Sequence, residues 1–108
     1  MPNGTWSGAE KKTARRVFDA ALAAELAEVM AEFKARAAAV TEPDGMWLLE
    51  EYLRQKRREI DRKYDFRYSQ LLMVFAILLH QGRIQEAQLA GLEEEKLACI
   101  RGIASFSR

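Results

Sequence analysis

The chain has 108 residues, the size of one domain, and its 49% hydrophobic and 31% charged residues are typical of a folded soluble protein. Seventeen basic and sixteen acidic residues leave a formal charge of +1, so bulk charge does not indicate nucleic-acid binding. Two prolines and six glycines are too few for a many-stranded sandwich or barrel. A single cysteine and a single histidine exclude an internal disulfide and a histidine-rich zinc site, and we expect no metal or cofactor.

The sequence contains neither a visible secretory signal nor a membrane span. Residues 1–8 lack an apolar stretch that follows a basic segment. The most apolar run, Leu71 to Leu79, is nine residues long, whereas a membrane span needs about 20. We therefore predict a cytoplasmic protein in which this run is a helix buried within the fold.

The first helix is predicted to begin at the capping box Ser7-Gly8-Ala9-Glu10. In such a box the serine side chain accepts a hydrogen bond from the amide three residues later, and the glutamate side chain accepts one from the serine amide. Alanine, the best helix former, then dominates a stretch that nothing interrupts as far as Val40. The large apolar residues of this helix form one stripe, made of Phe18, Leu22, Leu26, Val29, Phe33 and Val40.

A turn is predicted at residues 41–45, because Pro43 disfavours a helical conformation in the residue before it. A second helix is then predicted from about Met46 toward Tyr64. Because a short loop joins two long helices, we expect them to be antiparallel neighbours.

The chain after Asp65 is predicted to form a compact helical head. The apolar helix 71–79 ends near Gly82, a plausible C-cap, and two shorter amphipathic pieces follow around 84–89 and 93–106. The predicted fold class is therefore all-α, with a long antiparallel two-helix stem and a small head. We predict a single domain over residues 1–108, with a flexible N-terminus at 1–7, the stem at 8–65 and the head at 66–108.

Trp47 is the most informative residue for function, because it lies roughly 100° from the centre of the apolar stripe of the second helix. A tryptophan among carboxylates and arginines is typical of an interface hot spot, although partial cover by the first helix remains an alternative. The predicted dimer or partner interface comprises Trp47, Glu50, Glu51, Arg54, Arg57 and Asp61. Since two helices bury only the strip where they touch, we predict a homodimer with a four-helix arrangement.

Other charged and polar residues favour neither nucleic-acid binding nor catalysis. Between residues 54 and 67, seven cations against three carboxylates leave a local charge of +4, but interleaved acids are typical of a solvated, ion-paired face. His80 is interpreted as a helix C-terminal partner, and Cys99 as a small packed hydrophobe. Without a Ser/His/Asp set, a glycine-rich phosphate loop or coupled carboxylates, we predict that the protein is not an enzyme.

The last two thirds of the chain resemble the fluorescence recovery protein family of cyanobacteria. The matching segments are Trp47-x-Leu49-x-Glu51-x-Leu53, Lys56-Arg57-x-Glu59-Ile60-Asp61-x-Lys63-Tyr64-Asp65-x-Arg67, Val74-Phe75-Ala76 and Gly91-Leu92-x-x-Glu95-Lys96-Leu97. The resemblance implies an all-α stem-and-head dimer without a cofactor. It also implies binding to the photoactivated orange carotenoid protein, chiefly to its C-terminal domain, and a faster return of that protein to its resting orange form.

The same resemblance implies roles for residues on the second helix. Trp47 and Arg57 match a tryptophan and an arginine that the family ties to dimerisation and activity. Glu51 stands where the family has aspartate, and Glu50 stands where the best-known members have histidine, which replaces a neutral or cationic ring by an anion.

In the head, the resemblance implies a partner-binding set made of Met73, Phe75, Lys96 and Cys99. Met73 and Cys99 stand where family members use an aromatic residue and a lysine. Because the changed positions face the partner, two hypotheses stay open. The partner is either the orange carotenoid protein or an unknown protein, bound by the same dimeric adaptor in a bacterium without phycobilisomes.

Overall fold

The computed structural model describes residues 5–106, which form four α-helices, one 3₁₀ helix and no β-strand. The elements are α1 (Gly8–Ala38), α2 (Pro43–Lys63), α3 (Leu71–His80), the 3₁₀ helix Glu86–Leu89 and α4 (Glu94–Phe106). The predicted all-α class is confirmed. The chain measures 54 × 25 × 21 Å, because the two long helices of the stem project from a smaller head.

The first helix begins at the predicted capping box. The side-chain oxygen of Ser7 accepts a 3.1 Å hydrogen bond from the amide of Glu10, and the Glu10 carboxylate accepts a 3.0 Å bond from the amide of Ser7. These bonds satisfy two amides that have no partner within the helix. The helix ends at Ala38, two residues before the predicted end at Val40.

The second helix begins at Pro43, three residues earlier than predicted. Proline suits this position, because an amide at the first helical residue would have no partner within the helix. The stem helices run antiparallel, as contacts at both ends show. Arg36 lies 4.2 Å above the Tyr52 ring, and Lys63 lies 2.7 Å from Glu25.

In the head, α4 packs mainly against α3. The predicted cap at Gly82 is confirmed, since its φ of +74° is the left-handed conformation that glycine adopts freely. The amide of Arg83 donates to the carbonyl of Leu78 at 2.9 Å, and the amide of Gly82 donates to that of Leu79 at 3.1 Å. These two bonds form a Schellman motif, which ends α3 and turns the chain.

The hydrophobic core is concentrated in the head and includes the start of α1. Ala14, Val17 and Phe18 of α1 are buried with α3, whereas Ile60 is the buried residue of α2. The predicted boundary at residue 66 therefore needs correction, because the first third of α1 completes the core of the head.

The predicted flexible N-terminus also needs correction within the described residues. Trp6 is only 7% exposed and belongs to the core, while residues 1–4 lie outside the described part of the chain. A single tryptophan in a segment without periodicity gives no sequence signal of burial. Across residues 5–106, no helix combines the length and the apolar character needed to cross a membrane.

Candidate functional site

One exposed face of α2 brings together five of the six predicted interface residues. Residues three or four positions apart share a face of a helix, and these five follow that spacing along the uninterrupted α2. We call this face the α2 seam. It consists of Trp47, Glu50, Arg54, Arg57 and Asp61. The sixth residue, Glu51, is exposed at the edge of the seam.

The indole of Trp47 is largely exposed on the protomer. Its side chain is 62% exposed, so the alternative in which α1 covers half of it is not what the structure shows. Met46 and Leu48, on either side of it in the chain, are also exposed. Contiguous exposed apolar side chains mark interaction sites in folded proteins.

Within residues 5–106, the charged residues of the α2 seam form ion pairs with each other. Glu50 and Arg54 approach to 3.3 Å, and Arg57 and Asp61 to 3.8 Å, each pair at a spacing of four residues. All four side chains are more than 60% exposed, and Arg57 reaches 85%. Exposed pairs of this kind contribute only about 0.2–1 kcal/mol, so contact with another chain could replace them at little cost.

An apolar groove between α1 and α2 borders the α2 seam. Arg57 and Asp61 form its charged rim, beside the stem of Lys56. Its apolar lining comprises Leu22, Leu26, Val29, Leu53 and Ile60. The groove and the seam therefore make one continuous surface with an apolar centre and a charged border, which is the composition of a protein–protein interface.

A polar cluster around Glu25, which sequence reasoning missed, fixes the stem to the head. The carboxylate is 13% exposed, accepts a 2.7 Å hydrogen bond from the phenol of Tyr64, and lies within 3.1 Å of Lys63 and Arg83. Burial alone raises the pKa of Glu25, but the hydrogen bonds from Lys63 and Tyr64 outweigh it and hold this pKa below its ordinary value of 4.5. Burial and the bond to Glu25 raise the pKa of Tyr64.

The structure separates the four predicted partner-binding residues of the head into two groups. Met73 is 46% exposed, and Cys99 is half-buried. The prediction needs correction for Phe75, which is fully buried, and for Lys96, which is 4% exposed and pairs with Glu10 at 3.2 Å. Neither buried side chain is presented to a partner by this protomer. Because α3 is apolar on every side, its pattern could not tell which face points inward.

The exposed stem surface has the chemistry of a binding site. Within residues 5–106, no group of three His, Cys, Asp or Glu side chains is placed to hold a metal ion. The residues that the α2 seam presents are instead an indole, two arginines and two carboxylates, which recognise protein surfaces. The fold defines a class of all-helical protein with a two-helix stem, which carries an exposed aromatic and charged face, and a compact head.

Comparison with known proteins identifies the family. Residues 6–104 match the family described as photoprotection regulator fluorescence recovery protein, and the chain belongs to that family. The fluorescence recovery protein of Synechocystis sp. (strain ATCC 27184 / PCC 6803 / Kazusa) is 39% identical over 99 residues, which cover 92% of this chain and 91% of that protein.

Solved structures support the same assignment. The fluorescence recovery protein of Fremyella diplosiphon superposes with a TM-score of 0.88 at 34% identity, covering 94% of this chain and 100% of that one. The Synechocystis sp. PCC 6803 structure gives the same TM-score and coverage at 38% identity. The predicted family resemblance and stem-and-head fold are therefore confirmed.

Proposed function

We propose that this protein is a non-enzymatic, cytoplasmic regulator that binds the orange carotenoid protein, chiefly at its C-terminal domain, and accelerates its return from the photoactivated to the resting state. Membership of a family of photoprotection regulators supports this proposal. The structural observation that carries it is the α2 seam, where Trp47 is 62% exposed and Arg57 and Asp61 border an apolar groove.

The α2 seam and its groove are proposed to pair two copies of the chain into a four-helix arrangement. Leu26 and Leu53 are 42% and 36% exposed on either side of the groove, which a second stem would cover. The seam carries Glu50 and Asp61 as well as Arg54 and Arg57, so a copy related by two-fold symmetry can place acids opposite bases. A surface that complements itself in this way favours a homodimer.

The proposed mechanism is differential binding. A regulator that holds the closing, compact form of a two-state photoreceptor more tightly than its separated form shifts the population toward the compact form. A tenfold shift needs a difference in binding free energy of about 1.4 kcal/mol, which a few interface side chains can supply. Acceleration also requires that this preference is already present in the transition state for closure, and no covalent chemistry is needed.

The experiment is a dark-recovery assay with purified orange carotenoid protein. After photoactivation, the red form is followed as it returns to orange in the dark, with and without this protein. The fluorescence recovery protein of Synechocystis serves as the positive control. We expect a recovery rate that rises with the concentration of this protein and then saturates. If the rate is unchanged at saturating concentration while the positive control accelerates recovery, the proposal is wrong.

A second candidate function is that of a dimeric adaptor for an unrelated protein in a bacterium without phycobilisomes. It is favoured by Met73, which is exposed on the head where the family uses an aromatic residue, and by the anionic Glu50 on the α2 seam. Genomic neighbourhood separates the two candidates. A carotenoid-protein gene beside this one supports the first, and its absence together with a negative recovery assay supports the second.

A further inference from the structure

The segment of residues 5–7, which we call the strap, carries a tryptophan into the core of the head. Trp6 is 7% exposed, and its ring centre lies 5.6 Å from that of Tyr68. The buried indole nitrogen has no hydrogen-bond acceptor in the part of the chain that the structure describes. Packing and the contacts described next therefore hold the indole in place without a hydrogen bond of its own.

Lys96 binds the strap from α4. Its ammonium group donates a 2.7 Å hydrogen bond to the carbonyl oxygen of Thr5 and lies 5.1 Å from the centre of the Trp6 ring, a cation–π distance. It also pairs with the Glu10 carboxylate at 3.2 Å. The side chains of Lys96 and Glu10 are only 4% and 3% exposed. Lys96 is therefore not on the predicted partner surface; it holds the strap and Glu10 instead.

Glu10 completes the connection between three parts of the chain. Its carboxylate accepts 3.0 Å hydrogen bonds from the amide of Ser7 in the strap and from the amide of Glu93 just before α4. Since α4 packs mainly against α3, the cluster of Glu10, Lys96 and the strap adds a polar link between α1 and the start of α4.

A buried ion pair is an unusual choice for this link. Taking two charges out of water is costly, and apolar residues of similar volume often stabilise a fold equally well. An ion pair differs from an apolar contact because removing one partner leaves the other charge buried without its counter-charge, which is strongly destabilising. The pair is therefore suited to a connection that is either fully closed or open.

We propose that the Glu10–Lys96 pair and the strap form a releasable lock between α1 and α4. When the lock opens, the strap and the start of α4 become free, while the packing of α3 against the rest of α4 persists. This proposal does not depend on the identity of the partner.

Hydrogen exchange of the full chain, followed by mass spectrometry of its peptides, tests the lock. Lys96→Met keeps most of the side-chain volume and removes the ammonium, and Glu10→Gln removes the charge from the other side. We expect exchange in residues 5–12 and 93–97 to rise by about tenfold or more in both variants, with exchange in residues 71–80 changed by less than about twofold. Arg101→Met is the matched control. Arg101 also lies on α4, and this variant breaks its exposed ion pairs with Glu86 and Glu94.

The pattern of exchange decides the outcome. Faster exchange confined to the strap and the start of α4, absent from Arg101→Met, supports the lock. Unchanged exchange in both variants, or an equal rise in residues 71–80, overturns it, because the cluster would then be inert or inseparable from global unfolding. Acrylamide quenching of Trp6 in a Trp47→Phe background gives a second readout, in which Lys96→Met increases quenching if the lock opens.

Discussion

The phenol of Tyr64 donates a 2.7 Å hydrogen bond to the carboxylate of Glu25, which joins the end of α2 to the middle of α1. Tyr64 is the residue at which α2 stops, and it is 9% exposed. Arg83, which follows the glycine cap of α3, reaches the same carboxylate. The Glu25 side chain therefore holds together α1, the end of α2 and the turn that follows α3.

Removing Glu25 is predicted to destabilise the whole fold. Glu25→Ala leaves the Tyr64 phenol without its acceptor and Lys63 without its counter-charge, although Lys63 still donates to Gln81. We expect the free energy of unfolding to fall by about 2–3 kcal/mol. Glu32→Ala is the control, because it removes only an exposed pair with Arg36 and should cost less than about 1 kcal/mol. Urea unfolding followed by circular dichroism measures both. Equal losses would contradict the assigned role of Glu25.

Stability is predicted to decline in acid because of Glu10 and Glu25. Burial raises the pKa of Glu10, but hydrogen bonds from the Ser7 and Glu93 amides and from Lys96 outweigh it, so its pKa lies below 4.5 in the folded protein. The pKa of Glu25 is lowered in the same way. A group with a lowered folded pKa contributes stability above its unfolded pKa and loses this contribution as the pH falls through the folded value.

The free energy of unfolding should therefore fall as the pH drops below about 4.5. Between about pH 6 and 7 the contribution of these groups is fully present and should change little with pH. Urea titrations at several pH values measure this dependence. In Glu10→Gln the fall should be shallower, because one of the carboxylates with a lowered pKa is gone. An identical pH profile in the variant and the wild type would show that Glu10 does not contribute.

Burial in the head predicts effects of very different size for two nearby residues of α3. Phe75→Ala should lower the free energy of unfolding by about 3–5 kcal/mol, since Phe75 is fully buried. Met73→Ala, at a side chain that is 46% exposed, should cost less than about 1 kcal/mol. Thermal unfolding of the two variants checks the comparison. A small cost for Phe75→Ala would restore it as a candidate for partner contact.

The proposed dimer predicts that seam variants lower the mass in solution. Trp47→Ala and Arg57→Glu should shift the protein toward a monomer of 12.3 kDa, because they remove the exposed aromatic side chain and reverse a charge of the α2 seam. Arg62→Glu is the matched control, since Arg62 is exposed on another face of α2. Light scattering at several concentrations measures the mass. An unchanged dimer in both seam variants would place the dimer contact elsewhere.

Local sequence signals predicted most of the fold. Four features depend on residues close together in the chain, so the local sequence predicts them: the capping box at Ser7, the break before α2, the apolar α3 and the cap at Gly82. The exposed position of Trp47 also followed from helical spacing alone.

The rest depends on contacts between distant residues, which a single sequence does not encode in any local pattern. Glu10 and Lys96 are 86 positions apart, and Glu25 and Tyr64 are 39 apart. Trp6 belongs to no periodic segment, so nothing distinguished a buried tryptophan from one in a flexible terminus. The rotation of α3 was equally undetermined, which explains the incorrect exposure expected for Phe75.

The most direct test of the proposed regulator is dark recovery of the orange carotenoid protein with matched variants of α2. At equal, limiting concentrations, we predict that the wild type and Arg62→Glu accelerate the red-to-orange conversion alike and that Arg57→Glu loses most of the acceleration. Equal acceleration by all three would contradict a regulatory role for the α2 seam. No acceleration by the wild type would contradict the proposed function itself.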